Sequence, residues 1–389
     1  MSPSSSTSER PPPPTGGLFD GVLSRGPVGA AVSPSAWLRA LLEVEAALAL
    51  AGADTGAVPP QAARAIAVAC EDDAAYDAAA LGRAAAAAGN PVVPLVQAVR
   101  AAVGGDAAAW VHLGATSQDV LDCAASLLSR RALAMVAADL AAAAGAAAGL
   151  ARRHRDDPAL GRTLLQPALP TSFGLVAAGW AVGLDVVAAR VRTVAAGLPV
   201  QLGGPVGASA GPARAALAGR LGLAEPLLGW HTLRWPVADT AGCLATASGI
   251  VGKIGLDVVL LAQGEVAEVL EGRAGTGGSS SMPHKHNLVA AVSARAGALR
   301  APGLAGTLYA AMAQEHQRAA GAWHAEWETL SDLLRCTGSA ASWLRECLEH
   351  LRVDAPRMLA NLHAAGVPGA DGGVPPGVGE QVDRVLAAR

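Results

Sequence analysis

Thr116-Ser117-Gln118-Asp119 opens a helical pattern that the sequence carries to about residue 155, just short of Pro158. Thr116 and Asp119 stand at capping-box spacing, which marks a helix start. The most apolar part of the pattern, residues 132–151, is broken by Asp139 and built of alanine rather than leucine. Alanine is the best helix former but too weakly hydrophobic for a convincing membrane span. A helix apolar all round belongs at the centre of a bundle or in a subunit interface. The whole chain agrees: 52% of its 389 residues are hydrophobic, 3% aromatic and 16% charged. That composition predicts an all-α protein of long helices, large enough for two or three domains.

Working outward, residues 35–51 carry apolar positions at helical spacing, with Glu43 and Glu45 expected on the other face. Further helices are expected over 171–195, 237–270 and 288–314, with Glu265, Glu268 and Glu271 on a solvated, ion-paired face of the second. Residues 1–15 are Ser/Pro-rich and predict a disordered or polyproline tail. The expected domains are an N-terminal helical domain over 16–110, a central bundle over 111–352 and a shortened C-terminal region over 353–389. The net charge of −3 argues against a nucleic-acid partner, and the N-terminus lacks a secretory pattern. Cys70, Cys123, Cys243, Cys336 and Cys347 are odd in number and scattered, which suits reduced thiols in a cytoplasmic protein.

Two segments carry chemistry. In the turn His112-Leu113-Gly114-Ala115-Thr116-Ser117, the hydroxyls of Thr116 and Ser117 and the free N–H groups of the helix start can bind a substrate carboxylate. His112, one loop before the cap, is a candidate in the same site. The stretch Gly275-Thr276-Gly277-Gly278-Ser279-Ser280-Ser281-Met282-Pro283-His284-Lys285-His286-Asn287 is the second. Its glycines allow close approach of backbone N–H groups, its serines supply hydroxyls, Lys285 a positive charge and Asn287 an amide. The apolar helix that follows would present its N-terminus to an anion. His284 and His286 lack further metal ligands in pattern, and no metal or cofactor is expected.

Gly-Ser-Ser-Ser-Met-Pro-His-Lys-His-Asn resembles the signature loop of the fumarase/aspartase superfamily, G-S-S-x-M-P-x-K-x-N. The resemblance implies a fumarase/aspartase-like long-helix bundle, and a homotetramer whose active sites are shared between chains. It makes Ser279 the catalytic serine and Lys285 and Asn287 its companions, with Ser280 and Met282 contacting substrate. Gly161-Arg162-Thr163-Leu164-Leu165-Gln166 matches a second region, G-R-T-H-x-Q, with Leu164 in place of the histidine. A leucine cannot transfer a proton to a leaving amine. Arg162, Thr163 and Gln166 remain able to position carboxylates. Trp230-His231-Thr232-Leu233-Arg234 and Trp323-His324-Ala325-Glu326-Trp327-Glu328 are similar to cycloisomerase segments. Arg234 is a candidate bidentate carboxylate clamp, and 323–328 reads as an amphipathic helix with its polar residues outward.

Within the superfamily the segments look most like the 3-carboxy-cis,cis-muconate cycloisomerases. That implies intramolecular lactonisation of a small polycarboxylate to 4-carboxymuconolactone, in the β-ketoadipate branch of protocatechuate catabolism. The alternatives are a lyase eliminating from a substituted succinate and a non-catalytic helical scaffold.

Overall fold

The computed structural model describes residues 17–389, apart from 209–211, 273–274, 276, 279–280 and 283–284. The Ser/Pro-rich tail therefore lies outside the described residues. The principal helices are α1 (Pro34–Asp54), α2 (Pro60–Glu71), α3 (Val92–Val103), α4 (Ser117–Arg153), α5 (Phe173–Gly197), α6 (Trp235–Ala262), α7 (Val289–Ala310), α8 (Ala322–Glu349), α9 (Ala355–Ala364) and α10 (Val378–Ala387). The fold is all-α. Its short strands form two antiparallel pairs, β1 (Pro158–Thr163) with β2 (Gln166–Ser172) and β3 (Val269–Glu271) with β4 (Leu351–Val353).

α4 starts where the cap predicts. The Thr116 N–H donates to Asp119 Oδ2 at 2.9 Å, and the helix runs 37 residues. It packs along α5 and α8, while α6 and α7 complete a five-helix bundle. Alanine makes this close packing possible: Ala132, Ala143, Ala144, Ala147 and Ala151 are wholly buried. By length and composition α4, α5 and α6 could each cross a membrane. Here each lays one face into the bundle, and α4 carries buried Asp122, Ser126 and Ser129 there.

Several expectations give way to tertiary contacts. The segment 158–172 folds as a hairpin, and Gly161 permits it: a Cβ there would lie 2.7 Å from the Leu169 carbonyl oxygen. α6 ends at Ala262 rather than near 270, because 269–271 leave the helix to pair with β4. Glu268 is accordingly buried, not on a solvated face. Glu45 is buried too, at 1% exposure, whereas Glu43 stays outward and pairs with Arg131. The five cysteines are free and buried. Burial, with help from the Glu45 charge, pushes the Cys70 thiol up to about 12.

Beyond residue 352, α9 packs on β1 and α10 on α5. α10 is tied to the end of α4 by the Arg155–Asp383 pair, at 2.6 and 2.8 Å.

Candidate active site

Three polar segments lie at ends of the long elements. The first is the turn before α4. Asp119, 2% exposed, is its fastening. Besides the Thr116 N–H, its carboxylate accepts from the Gly203 and Gly204 N–H groups at 2.9 Å and meets His231 Nε2 at 2.7 Å. Gln118 Nε2 donates to the His231 carbonyl at 2.8 Å. A buried carboxylate with four partners is well compensated. It fixes Thr116, the 203–204 loop and the 230–234 segment relative to one another. Thr116 and Ser117 stay half-buried at the head of α4. His112 adopts a positive φ of 64° and directs Nδ1 to Glu45 Oε1, 2.6 Å away.

The second segment is the β1–β2 hairpin. Thr163 pairs with Gln166 across the two-residue turn Leu164-Leu165, whose φ values are 50° and 64°. Two positive φ angles define the tight hairpin turn that asparagine and glycine normally occupy. Leucine tolerates it poorly, and strain of this kind gathers at functional sites. Leu164 is 96% exposed, and Thr163 and Gln166 are exposed beside it. Arg162 points the other way. Its guanidinium is held bidentately by Glu268 at 2.7 and 3.0 Å, and Asn361 donates to the same carboxylate at 2.8 Å. The expected role for Arg162, positioning a substrate carboxylate, is thus replaced: the carboxylate it grips belongs to the chain, and it anchors the hairpin to β3 and α9.

The third segment is the loop before α7. Ser279 and Ser280 lie outside the described residues. The loop's base is closed by Gly277, where the Asn287 N–H donates to the carbonyl at 2.8 Å. Lys285, Asn287 and Met282 are exposed. The N-terminus of α7 is not free for an anion as expected. Glu271 caps it, accepting from the Ala290 and Ala291 N–H groups at 3.0 and 2.7 Å. Gly277 has φ of 81°, and a Cβ there would overlap the Asn287 carbonyl. Gly277→Ala is therefore expected to displace Lys285 and Asn287 together. Activity should fall at least about tenfold while the unfolding midpoint moves little, since Ser281, Met282 and residues 285–287 are exposed. Steady-state kinetics with a parallel thermal melt checks this.

Arg234 corrects another expectation. It is 2% exposed, with Nη1 2.7 Å from Asp122 Oδ2 and Nη2 2.5 Å from Glu326 Oε2. Trp323 and Gln314 donate to the same two carboxylates. Burial opposes the Arg234 charge, but Asp122 and Glu326 outweigh it and push its pKa up. Arg234 is a carboxylate clamp, as its residue type suggests, yet its carboxylates are internal. Glu326 therefore points inward, against the amphipathic reading of 323–328. Glu45, Asp122, Glu268, Glu271 and Glu326 were the residues that sequence reasoning misplaced or passed over. Of these only Glu326 stood in a quoted segment, between Trp323 and Trp327; the others carry no local signal.

Among the described residues, no hydrogen bond or ion pair joins the three segments, and no three His, Cys, Asp or Glu side chains are grouped to hold a metal. Polar exposed residues thus sit at separate ends of a helical bundle, one set on a strained hairpin and one on a glycine-closed loop.

This architecture and loop are those of a lyase family. A family model described as "Lyase" matches residues 29–303, and the chain belongs to that family, within the fumarase/aspartase superfamily. It is 46% identical over 368 residues to a nitrosuccinate lyase of Streptomyces davaonensis, covering 90% of this chain and 77% of that one. It is also 46% identical over 360 residues to a 3-carboxy-cis,cis-muconate cycloisomerase of Pseudomonas aeruginosa, covering 90% and 78%. Among solved structures, the β-carboxy-cis,cis-muconate cycloisomerase of Acinetobacter calcoaceticus superposes with a TM-score of 0.83 at 34% identity, over 90% of this chain and 80% of that one. The 3-carboxy-cis,cis-muconate lactonizing enzyme of Pseudomonas putida gives 0.82 at 36% identity, over 95% and 86%.

Proposed function

We propose that the chain is a 3-carboxy-cis,cis-muconate cycloisomerase. The observation that carries the reading, against lyases that must protonate a departing amine, is Leu164. An apolar side chain stands at the exposed hairpin apex, where the lyase pattern G-R-T-H-x-Q has its histidine. Lactonisation needs no proton for a departing group, because the nucleophile is a carboxylate of the substrate itself. One C–O bond forms, charge develops as an enediolate beside another carboxylate, and a C–H bond follows. Lys285, Asn287, Thr116, Ser117 and the first N–H groups of α4 stabilise the developing charge. Thr163, Gln166, Ser280 and Met282 shape the site. Ser279 exchanges the proton, its alkoxide supported by Lys285 and loop amides.

The three segments work together in a homotetramer, each site completed by other copies. Exposed apolar side chains support that assembly: Val186 on α5 is 62% exposed, and Val292 and Leu299 on α7 are 54% and 73%. Residues 16–110, 111–352 and 353–389 serve as its N-terminal, central and C-terminal domains. The cytoplasm and the β-ketoadipate pathway are the setting.

A second reading is favoured by the nitrosuccinate lyase relative. Elimination from nitrosuccinate would release fumarate and nitrite, and nitrite also leaves without needing a proton, so Leu164 tolerates both reactions. Purified protein offered each substrate decides between them. Loss of diene absorbance with carboxymuconate is the expected result. Fumarate appearing from nitrosuccinate, with carboxymuconate untouched, would overturn the cycloisomerase reading.

A further inference from the structure

The amphipathic pattern of α1 puts Glu45 outside, and the fold puts it inside. The residue is 1% exposed, one carboxylate oxygen lies 2.6 Å from His112 Nδ1, and the other, Oε2, is buried without a hydrogen-bond partner among the described residues. A carboxylate so placed is poorly compensated, and an orphaned buried oxygen calls for a reason beyond stability. His112 carries a second irregularity, a left-handed φ of 64° in a non-glycine residue. The two strained features meet in one contact, four residues before the head of α4.

We propose that Glu45 is a positioning residue for substrate binding: it holds His112 so that its Nε2 receives a carboxylate of the substrate. This rests on reading the 112–119 turn as a carboxylate site. An ionised carboxylate only accepts hydrogen bonds, so the contact fixes the proton on Nδ1. That leaves Nε2, on the opposite edge of the ring, for a ligand. The His112 side chain is 14% exposed, against 0% for that of Glu45, so the histidine is the member of the pair that solvent and ligand reach. When Nε2 is also protonated, the imidazolium lies between Glu45 and the incoming carboxylate, with an anion on each side. The orphaned Oε2 keeps the Glu45 charge undivided by other donors, which strengthens its hold on the one group it touches. The negative charge of Glu45 is also felt by the Cys70 thiol across α1 and α2.

The test is a double-mutant cycle on the full-length chain, with Glu45→Gln, His112→Ala and the pair combined. The readout is the calorimetric dissociation constant for propane-1,2,3-tricarboxylate, a saturated polycarboxylate whose binding does not depend on turnover. Glu45→Gln keeps the shape but removes the charge. It should weaken binding roughly tenfold in the wild-type background and have no further effect in the His112→Ala background. With carboxymuconate as substrate, the same variant should raise KM by a similar factor and leave kcat within about twofold. Equal losses of affinity in both backgrounds would show that Glu45 serves the core alone and would overturn the proposal. So would unchanged affinity with only a lowered unfolding midpoint, or a wild-type chain that does not bind the tricarboxylate. Tricarboxylate binding that follows the cycle, in a chain that does not turn over carboxymuconate, would keep this inference and remove the proposed reaction instead.

Discussion

Ser279→Ala is expected to lower turnover of 3-carboxy-cis,cis-muconate by about 10²–10⁴-fold or more. The substitution removes one hydroxyl and no charge. Its effect is large because the proton exchanged beside a carboxylate is the difficult part of the reaction. A serine is a weak base unless its alkoxide is stabilised. The loop supplies the means proposed above: Lys285, exposed on it, carries the positive charge. Affinity for the tricarboxylate should change little, because the hydroxyl acts in the transition state more than in the bound ground state. The unfolding midpoint should be unaltered. Ultraviolet-monitored turnover with wild type and variant side by side makes the measurement. Full activity in the variant would remove Ser279 from the mechanism.

Arg234→Ala should act on stability instead. Asp122 and Glu326 are 1% and 3% exposed, and the guanidinium between them is their shared counter-charge, 2.5–3.2 Å from their oxygens. Removing it leaves two buried carboxylates facing each other. Breaking a buried pair in this way costs about 3–5 kcal/mol, and here the second carboxylate adds repulsion. For a chain of 389 residues the melting midpoint should drop by roughly 4–6 °C. The Arg234 guanidinium also lies 4.7 Å from the Trp230 ring centroid, so packing is lost with the charge. Arg234→Lys should recover part of the loss, since it keeps a charge but not the fork that meets two carboxylates at once. Differential scanning calorimetry reads both variants. A stable Arg234→Ala protein with a raised KM would return Arg234 to the substrate side.

Each structural correction has one source. Helical periodicity identifies which face of α1, α6 or α8 is mostly apolar, and it reads any acidic residue near the edge of that face as solvated. Glu45, Glu268 and Glu326 break that reading because each meets a cation or imidazole far away in sequence, 67, 106 and 92 residues respectively. A pairing over such distances leaves no trace in local spacing. Glu271 is a related case. It lies outside α7, yet it takes the N–H groups that the loop was expected to offer to substrate.

What the sequence determined by itself is local or carried by a specific motif. The Thr116–Asp119 cap set the start of α4, and alanine-rich spacing set the all-α class. The G-S-S-x-M-P-x-K-x-N loop set the family, because few other stretches combine glycine, hydroxyl, cation and amide so tightly. Only the tertiary structure decided which way the charges face. A buried carboxylate is tolerable only where a partner compensates its lost hydration, and that partner is chosen by packing, not by neighbours in the chain. Hence Arg162, read from sequence as positioning a substrate carboxylate, and Arg234, read as a clamp for one, grip the protein's own Glu268, Asp122 and Glu326. Thr163, Gln166, Lys285 and Asn287, by contrast, are left exposed.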